Sequence, residues 1–455
     1  MSWVETEFEA VNLGDQRLNR RAIRIIEGLG LAPGRTIPQT FQAWGEIKAC
    51  YNFFSNDSVS GEALIAPHIE KTIERIKEYP VVLLPSDTTE IDYTSKEAMK
   101  GKERLSNKKH GLWLHPTIAV TPERLTLGIV DANFWSREPE VSENSSAHRT
   151  ARDNAPIEEK ESYRWLKSYT KACEIARQAP ETQIINMTDQ EGDIVEIFAE
   201  ALEQENQGRR ADFIIRSQHD RLIEDCDTRK LRENLCKAAS LGEVEFTIPA
   251  TEKRKARKVK QQLKAASVIL TPRGKKLRVP VNTIMAIEEN PPEGEKPLIW
   301  VFITSLPIKT FDNVLSIIKY YLCRWEIELF FKVLKSGCKI EERQLQASDR
   351  MKSLIAVFMV LSWRVMYTMM LGRVCSTMSC GDLFNEAEWK SVYKILNRKK
   401  ALPRKPPLLG DFIIMVASLG GYVKKMSGEP PGVKAMWTGM ARMIDFSIAW
   451  EAFGG

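Results

Sequence analysis

Five residues within one short stretch, Tyr321, Arg324, Glu328, Lys332 and Lys335, have the types and spacing to handle phosphate and metal together. On a regular helix turning about 100° per residue, with Tyr321 at zero, Arg324 falls at about −60°, Glu328 at about −20°, Lys335 at about −40° and Lys332 at about +20°. Glu326 falls about 160° from Glu328, on the opposite side. Around this stripe lie Trp325, Ile327, Leu329, Phe330, Phe331 and Leu334, so the helix reads as mostly buried with one polar face. An exposed helix with incidental i,i+4 ion pairs is the plain alternative. A buried helix instead needs its polar stripe to meet something charged. A nucleic-acid backbone with cations fits: the guanidinium and ammonium groups take phosphates while Glu328 ligates a divalent ion.

Divalent-metal phosphoryl transfer requires hard oxygen ligands, and magnesium is commonly held by one or two carboxylates beside its waters. Two such ions can serve the attacking and leaving oxygens of an in-line displacement. The remaining carboxylates should therefore stand on rigid strand ends. Asp189 closes the apolar run Ile184-Ile185-Asn186-Met187-Thr188, and Asp87 follows Val81-Val82-Leu83-Leu84. An aspartate at a strand end is ordinarily a turn or cap residue, and Asp92 and Asp193 compete for the same role. Pro85 falls inside the first run and lacks an N–H, so that strand is expected to end or bulge there.

The elements that must carry these groups follow from periodicity. Residues 1–70 read as helical, and Arg17, Arg20, Arg21 and Arg24 fall on one helix face. That face is either solvated or set against phosphates. Strand candidates at 81–84, 111–120 and 125–133 suggest an antiparallel meander. A helix over about 158–179, the strand 184–188, a helix from near Asp193 and a strand at 213–216 then give a mixed α/β sheet. Between Lys253 and Arg278 there are eleven Lys or Arg and no acidic residue. Alternation at 267–270 and 277–281 makes this stretch a basic β platform. Helix returns after Asp312 and continues beyond Leu361, and 380–455 form a last helical segment broken by the proline-rich 402–410.

Bulk composition narrows the classes. Acidic residues number 60 against 66 basic ones, so the net charge of +6 says less than the charge distribution. The eight cysteines show no C-x-x-C spacing, which predicts reduced thiols in a cytoplasmic protein rather than a zinc site. The N-terminus lacks the apolar core of a signal peptide. The run Leu354 to Gly372 is broken by Arg364 and reads as a buried helix, with no membrane expected.

With these residues placed, the chain resembles the DDE transposases of bacterial insertion sequences, in the Tn-five-like branch. That branch carries a Y-x2-R-x3-E-x6-K helix, matched by Tyr321, Arg324, Glu328 and Lys335. Asp87-Thr88-Thr89 and Asp189-Gln190-Glu191-Gly192-Asp193 resemble its two aspartate motifs. Gly294 to Trp300 with Thr304-Ser305, and Arg216-Ser217, resemble further active-site stretches. The resemblance also covers Leu13-Gly14-Asp15, Tyr51 to Asn56, Leu419-Gly420-Gly421, Pro431 to Lys434 and Trp437. Gln190 departs from the pattern, standing where relatives often carry a basic residue.

The resemblance implies a ribonuclease-H-like α/β core at 71–370 with a β-rich insertion at about 240–305, which accounts for the 139 residues from Asp189 to Glu328. It implies a DNA-end-binding domain at 1–70 and a dimerisation domain at 371–455. Catalysis and metal binding would rest on Asp87, Asp189 and Glu328 with two Mg²⁺ ions, Mn²⁺ substituting. Tyr321, Arg324, Lys332, Lys335 and Arg216 would contact DNA, and Trp300 would stack on an extruded base, offsetting roughly 1–3 kcal/mol of unstacking. The α-helical arginines Arg17, Arg20, Arg21 and Arg24 would meet phosphates of the element end. The implied activity on double-stranded DNA is cut-and-paste transposition by a homodimer: nicking, hairpin formation and opening, then strand transfer. A nuclease that cuts without joining shares the same carboxylates, and a silent DNA-binding descendant would be expected to have lost them. A carboxylate-pair glycosidase matches the basic platform poorly.

Overall fold

The computed structural model describes residues 2–31, 33–41, 43–135, 155–224, 227–248, 257–272, 276–424 and 428–453. The chain opens with helices α1 (Trp3–Phe8), α2 (Gln16–Leu31), α3 (Ile37–Phe41), α4 (Trp44–Phe54) and α5 (Gly61–Lys77). Strands β1 (Val81–Pro85), β2 (Thr89–Asp92), β3 (Glu103–Arg104), β4 (His110–Val120) and β5 (Thr126–Trp135) follow. Next come α6 (Tyr163–Gln178), β6 (Gln183–Thr188), α7 (Val195–Asn206), β7 (Asp212–Arg216) and α8 (Leu231–Lys237). The insertion supplies β8 (Ser240–Ile248), β9 (Arg257–Leu270), β10 (Val279–Glu288) and β11 (Ile299–Thr304). Helices α9 (Phe311–Leu322), α10 (Glu326–Lys332), α11 (Ser348–Val374), α12 (Glu386–Leu396), α13 (Leu409–Leu419) and α14 (Val433–Phe453) complete it. The fold is mixed α/β, and its backbone divides into two compact units: Met1–Ile76, Thr88–Pro139 and Trp325–Gly455 form one, Lys77–Asp87 and Glu140–Arg324 the other.

In the first unit, β2 and β5 flank β4 antiparallel, with β3 paired to the start of β4 on the edge opposite β2. From Gly111 to Val120 the mostly apolar β4 is buried, as a strand covered on both faces requires. Gly128 on β5 lets α5 approach closely, because a Cβ there would sit 1.9 Å from Thr72 Oγ1. Helix α11 is the core of this unit. It is long and apolar enough to cross a membrane, yet 89% of that window is buried inside the protein. Its Trp363 Nε1–H donates to Thr126 O at 2.8 Å.

A polar network is buried beside that tryptophan. Glu7 of α1 accepts two hydrogen bonds from Arg75 of α5, at 3.0 and 2.9 Å, and one from His68 Nδ1 at 2.5 Å. Ile129 N–H donates to His68 Nε2 at 2.9 Å, which fixes the neutral tautomer with its proton on Nδ1. Arg75 lies 4.6 Å from the Trp363 ring. A single carboxylate thereby ties the first helix to α5, β5 and α11.

In the second unit, β1, β6 and β7 run parallel, and β11, β10, β9 and β8 extend the sheet antiparallel from β7. Helices α6 and α7 bury Trp165, Tyr169, Phe198 and Phe213 over its parallel part. The insertion is β-structured, as the alternation suggests, but its basic charge is partly neutralised. Lys258 and Lys260 pair with Glu245 and Glu243 across the β8–β9 ladder, and Arg257 pairs with Glu288 and Glu295. Lys253, Arg254 and Lys255 lie outside the described residues. Pro85 is the last residue of β1, so the strand ends there without a bulge.

Candidate active site at the carboxyl ends of parallel strands

The register of the second unit decides what stands beside what. Strand β1 pairs β6 from Val81↔Gln183 to Pro85↔Met187, and Ser86 N–H donates to Met187 O at 3.1 Å. Two residues beyond that last pair lie Asp87 and Asp189, so both carboxylates leave the same sheet face at the same level. Strand β6 pairs β7 through Met187↔Ile214 and Thr188↔Ile215, and the next position brings Arg216 level with Asp189. Neighbouring strands are about 4.8 Å apart. Asp87, Asp189 and Arg216 thus form one row across three carboxyl ends.

Local chemistry fixes each member. Asp189 caps the 3₁₀ turn Gln190–Gly192, its Oδ1 accepting from Glu191 N–H at 2.8 Å. Gly192 is required there, since a Cβ would lie 2.4 Å from the Thr188 side chain. Asp87 Oδ2 accepts from Arg324 Nη1 at 3.0 Å, with the Arg324 side chain only 9% exposed. Arg324 also lies 5.9 Å from the ring of buried Tyr321, which packs on Phe302 at 4.6 Å. Burial pushes the Tyr321 phenol up to about 12, the Arg324 and Arg216 charges pull against that, and the Asp189 charge adds to it. Tyr321 therefore stays protonated. Two carboxylates, two guanidiniums and a phenol share one corner of this unit.

Hard carboxylate oxygens side by side suit a divalent cation that keeps most of its waters. Among the described residues, no group of three or more His, Cys, Asp or Glu side chains is gathered tightly enough to hold a metal ion. The donor set visible in this unit is a two-carboxylate one.

The other sequence-derived residues are placed as follows. Glu328 and Lys332 are exposed on α10 of the first unit, while Glu326 is buried there and paired with Arg124 at 3.2 Å. Lys335 is half-buried, 3.8 Å from Glu341. The regular wheel drawn over 321–335 needs correction: a 3₁₀ turn occupies Cys323–Trp325 and a π-turn Val333–Gly337. Tightening and widening shift the angular positions on either side, and π-turns of this kind recur at functional sites. Trp300 is half-buried on β11 and stacks on Phe246 at 5.6 Å. Arg17, Arg20, Arg21 and Arg24 are all exposed on α2, Arg17 paired with Asp15 and Arg24 with Glu46.

Both competing aspartates are already engaged. Asp92 pairs with Lys109 at 3.0 Å and accepts from Thr94 N–H and Oγ1. Burial raises its pKa, but the Thr94 and Lys109 bonds more than offset this and bring it to about 2. Asp193 is buried among donors from Gln218, His219 and Arg221. Arg221 carried no periodic or motif signal in the sequence and was not legible there.

Comparison with known proteins finds likeness at both ends of the chain. Residues 1–59 match the family model for transposase DNA-binding, and residues 360–450 match that for the Tn5 transposase dimerisation domain. Both ends of the chain are thus similar to Tn5-type transposases. A cryo-EM structure of the piggyBac transposase synaptic complex with hairpin DNA also matches, over 82% of this chain and 72% of that one, at 8% identity and a TM-score of 0.36. That likeness is too distant to carry weight. The two family matches cover the ends of the chain, and the aspartate row lies in the sequence between them.

Proposed function

We propose that this transposase excises and inserts DNA by metal-dependent cut-and-paste chemistry, with Asp87, Asp189 and Glu328 as the metal-holding carboxylates of a ribonuclease-H-like core. What carries the reading is the register that sets Asp87 and Asp189 level on neighbouring parallel strands. Bound Mg²⁺ or Mn²⁺ would supply Lewis-acid activation of the attacking oxygen and charge neutralisation at the leaving one. The chain's own groups do the rest. Arg324 orients Asp87 and offers its remaining donors to a phosphate. Arg216 flanks Asp189 with a second guanidinium, and Tyr321 remains a proton donor toward the scissile strand. Lys332 and Lys335 contact the backbone near the break, and Trp300 stacks on an extruded base. The α2 arginines grip the element end, and two copies pair through the C-terminal helices to hold two ends at once.

The test is incubation of the full chain with its own element ends and Mg²⁺ or Mn²⁺, resolved on denaturing gels. Nicks at the ends, hairpinned flanks and joined products are expected. Binding to the ends without nicking or joining in either metal would defeat the enzymatic reading, while nicking without hairpins or joining would indicate a plain nuclease.

A further inference from the structure

Asp193 is buried to 1% exposure and its carboxylate is wrapped by donors from one loop. Its Oδ2 accepts from Gln218 N–H at 2.9 Å and His219 N–H at 3.0 Å. Its Oδ1 accepts from Arg221 Nε at 2.7 Å, and Arg221 Nη2 reaches both Oδ1 at 2.6 Å and the Asp193 carbonyl at 2.5 Å. The Arg221 side chain is only 9% exposed and its guanidinium lies 5.0 Å from the Phe198 ring. The loop that Asp193 gathers begins directly after Arg216, and Ser217 N–H is tied to Val301 O at 2.8 Å. The turn that Asp193 closes begins at Asp189: Gly192 N–H donates to Asp189 O, and Asp193 N–H to Gln190 O, both at 3.2 Å. Gln190 Nε2–H adds a second tie, to Ser217 O at 3.3 Å.

We propose that Asp193 and Arg221 form a positioning pair that locks the turn carrying Asp189 to the loop following Arg216, and so fixes the spacing of that carboxylate and that guanidinium. The inference rests on the reading of Asp189 as a metal-holding residue. Asp193 is not itself a ligand, because donors of the protein surround both of its oxygens. An aspartate suits this post because an ionised carboxylate is acceptor-only at both oxygens. An asparagine of the same shape would turn an N–H₂ group toward either backbone N–H groups or the guanidinium. The pair is neutral as a unit, so it shapes the site without changing its charge. Gln190 serves the same lock through Ser217.

The test compares wild type with Asp193→Asn and with Arg221→Lys, which keeps the charge but loses the two-pronged contact. Mn²⁺ binding to the full chain is read from the electron-paramagnetic signal of free Mn²⁺, beside end-DNA binding, thermal melting and strand nicking against Mn²⁺ concentration. The expected result for Asp193→Asn is a half-saturating Mn²⁺ concentration raised about tenfold or more. Nicking should be lost at low Mn²⁺ and partly recovered at high, with DNA-end binding retained. Arg221→Lys should shift the same way by less, and decides the matter if Asp193→Asn does not fold. A merely structural pair would lower the melting temperature and leave the Mn²⁺ midpoint in place, which would overturn the inference. If wild type itself neither binds Mn²⁺ nor nicks, the functional reading falls and this inference with it; if only the variants behave as wild type, the positioning role alone falls.

Discussion

Asp189→Asn is expected to reduce nicking at the element ends about a thousandfold or more while leaving DNA-end binding within a fewfold of wild type. The substitution keeps the cap, because the amide oxygen still accepts from Glu191 N–H, so the 3₁₀ turn that follows has no reason to unwind. What it removes is one negative oxygen from the row shared with Asp87. A metal-supported displacement draws several kcal/mol of transition-state stabilisation from its cations, and each 1.36 kcal/mol is a factor of ten in rate. Losing about 4 kcal/mol therefore gives a loss near a thousandfold. Glu328→Gln should behave alike. Asp87→Asn should be at least as severe, since it also strips Arg324 of its carboxylate partner. End binding is expected to survive because the proposal assigns it to the exposed α2 arginines, far away in sequence. Gel-resolved nicking rates beside mobility shifts on the same preparations check the expectation; parallel loss of both would point to unfolding instead.

Glu7→Gln is expected to be the most damaging substitution for stability, and His68→Ala the next. Each removes one member of a buried charged network and strands the rest, a defect costing about 3–5 kcal/mol. For a unit of this size that lowers the melting temperature by on the order of 10 °C. Acid should act through the same groups. Burial raises the Glu7 carboxyl, but hydrogen bonds from His68 and Arg75 and the Arg75 charge outweigh it and bring it to about 2. Its contribution is therefore full above the unfolded value near 4.5 and is lost as pH falls toward 2. Burial holds the His68 imidazole below its ordinary value, with the Glu7 contacts opposing. The unfolded chain thus takes up a proton near pH 6.5 that the folded one refuses, and stability declines from there downward. Wild type should lose stability steadily between about pH 6.5 and 2, and Glu7→Gln should flatten the lower part of that curve. Thermal melting across pH checks both; an unchanged slope in the variant would contradict this assignment.

Much of this was legible in the sequence, and the gaps have physical causes. The runs ending at Asp87 and Asp189 announced themselves because a strand buried on both faces must be continuously apolar, and a short polar residue must end it. The α2 arginine face was readable because its opposite side, Ala22, Ile25, Ile26 and Leu29, is the buried stripe of an amphipathic helix. Periodicity could not show that the stretch from Tyr321 to Lys335 breaks into 3₁₀, α and π turns, because tertiary packing sets those departures. The platform between Lys253 and Arg278 looked uniformly basic because its neutralising partners, Glu243 and Glu245, sit on the preceding strand and meet it only through pairing. Asp92 and Asp193 could not be told from Asp87 and Asp189 by type or by strand-end context. Only their partners separate them, Lys109 and Thr94 for one and the Gln218–Arg221 loop for the other. His68 gave no signal at all, since a lone histidine in a helix declares neither its burial nor its tautomer.

Iron-directed backbone cleavage measures directly the proposed meeting of Asp87, Asp189 and Glu328 at one cation. Fe²⁺ loaded in place of Mg²⁺, with ascorbate and peroxide, releases hydroxyl radicals that cut the polypeptide only within reach of the bound ion. Cuts are expected around residues 87, 189 and 328 together, suppressed by excess Mg²⁺ and lost in Asp189→Asn. Cuts confined to the segments around 87 and 189, or scattered without regard to Mg²⁺, would contradict it.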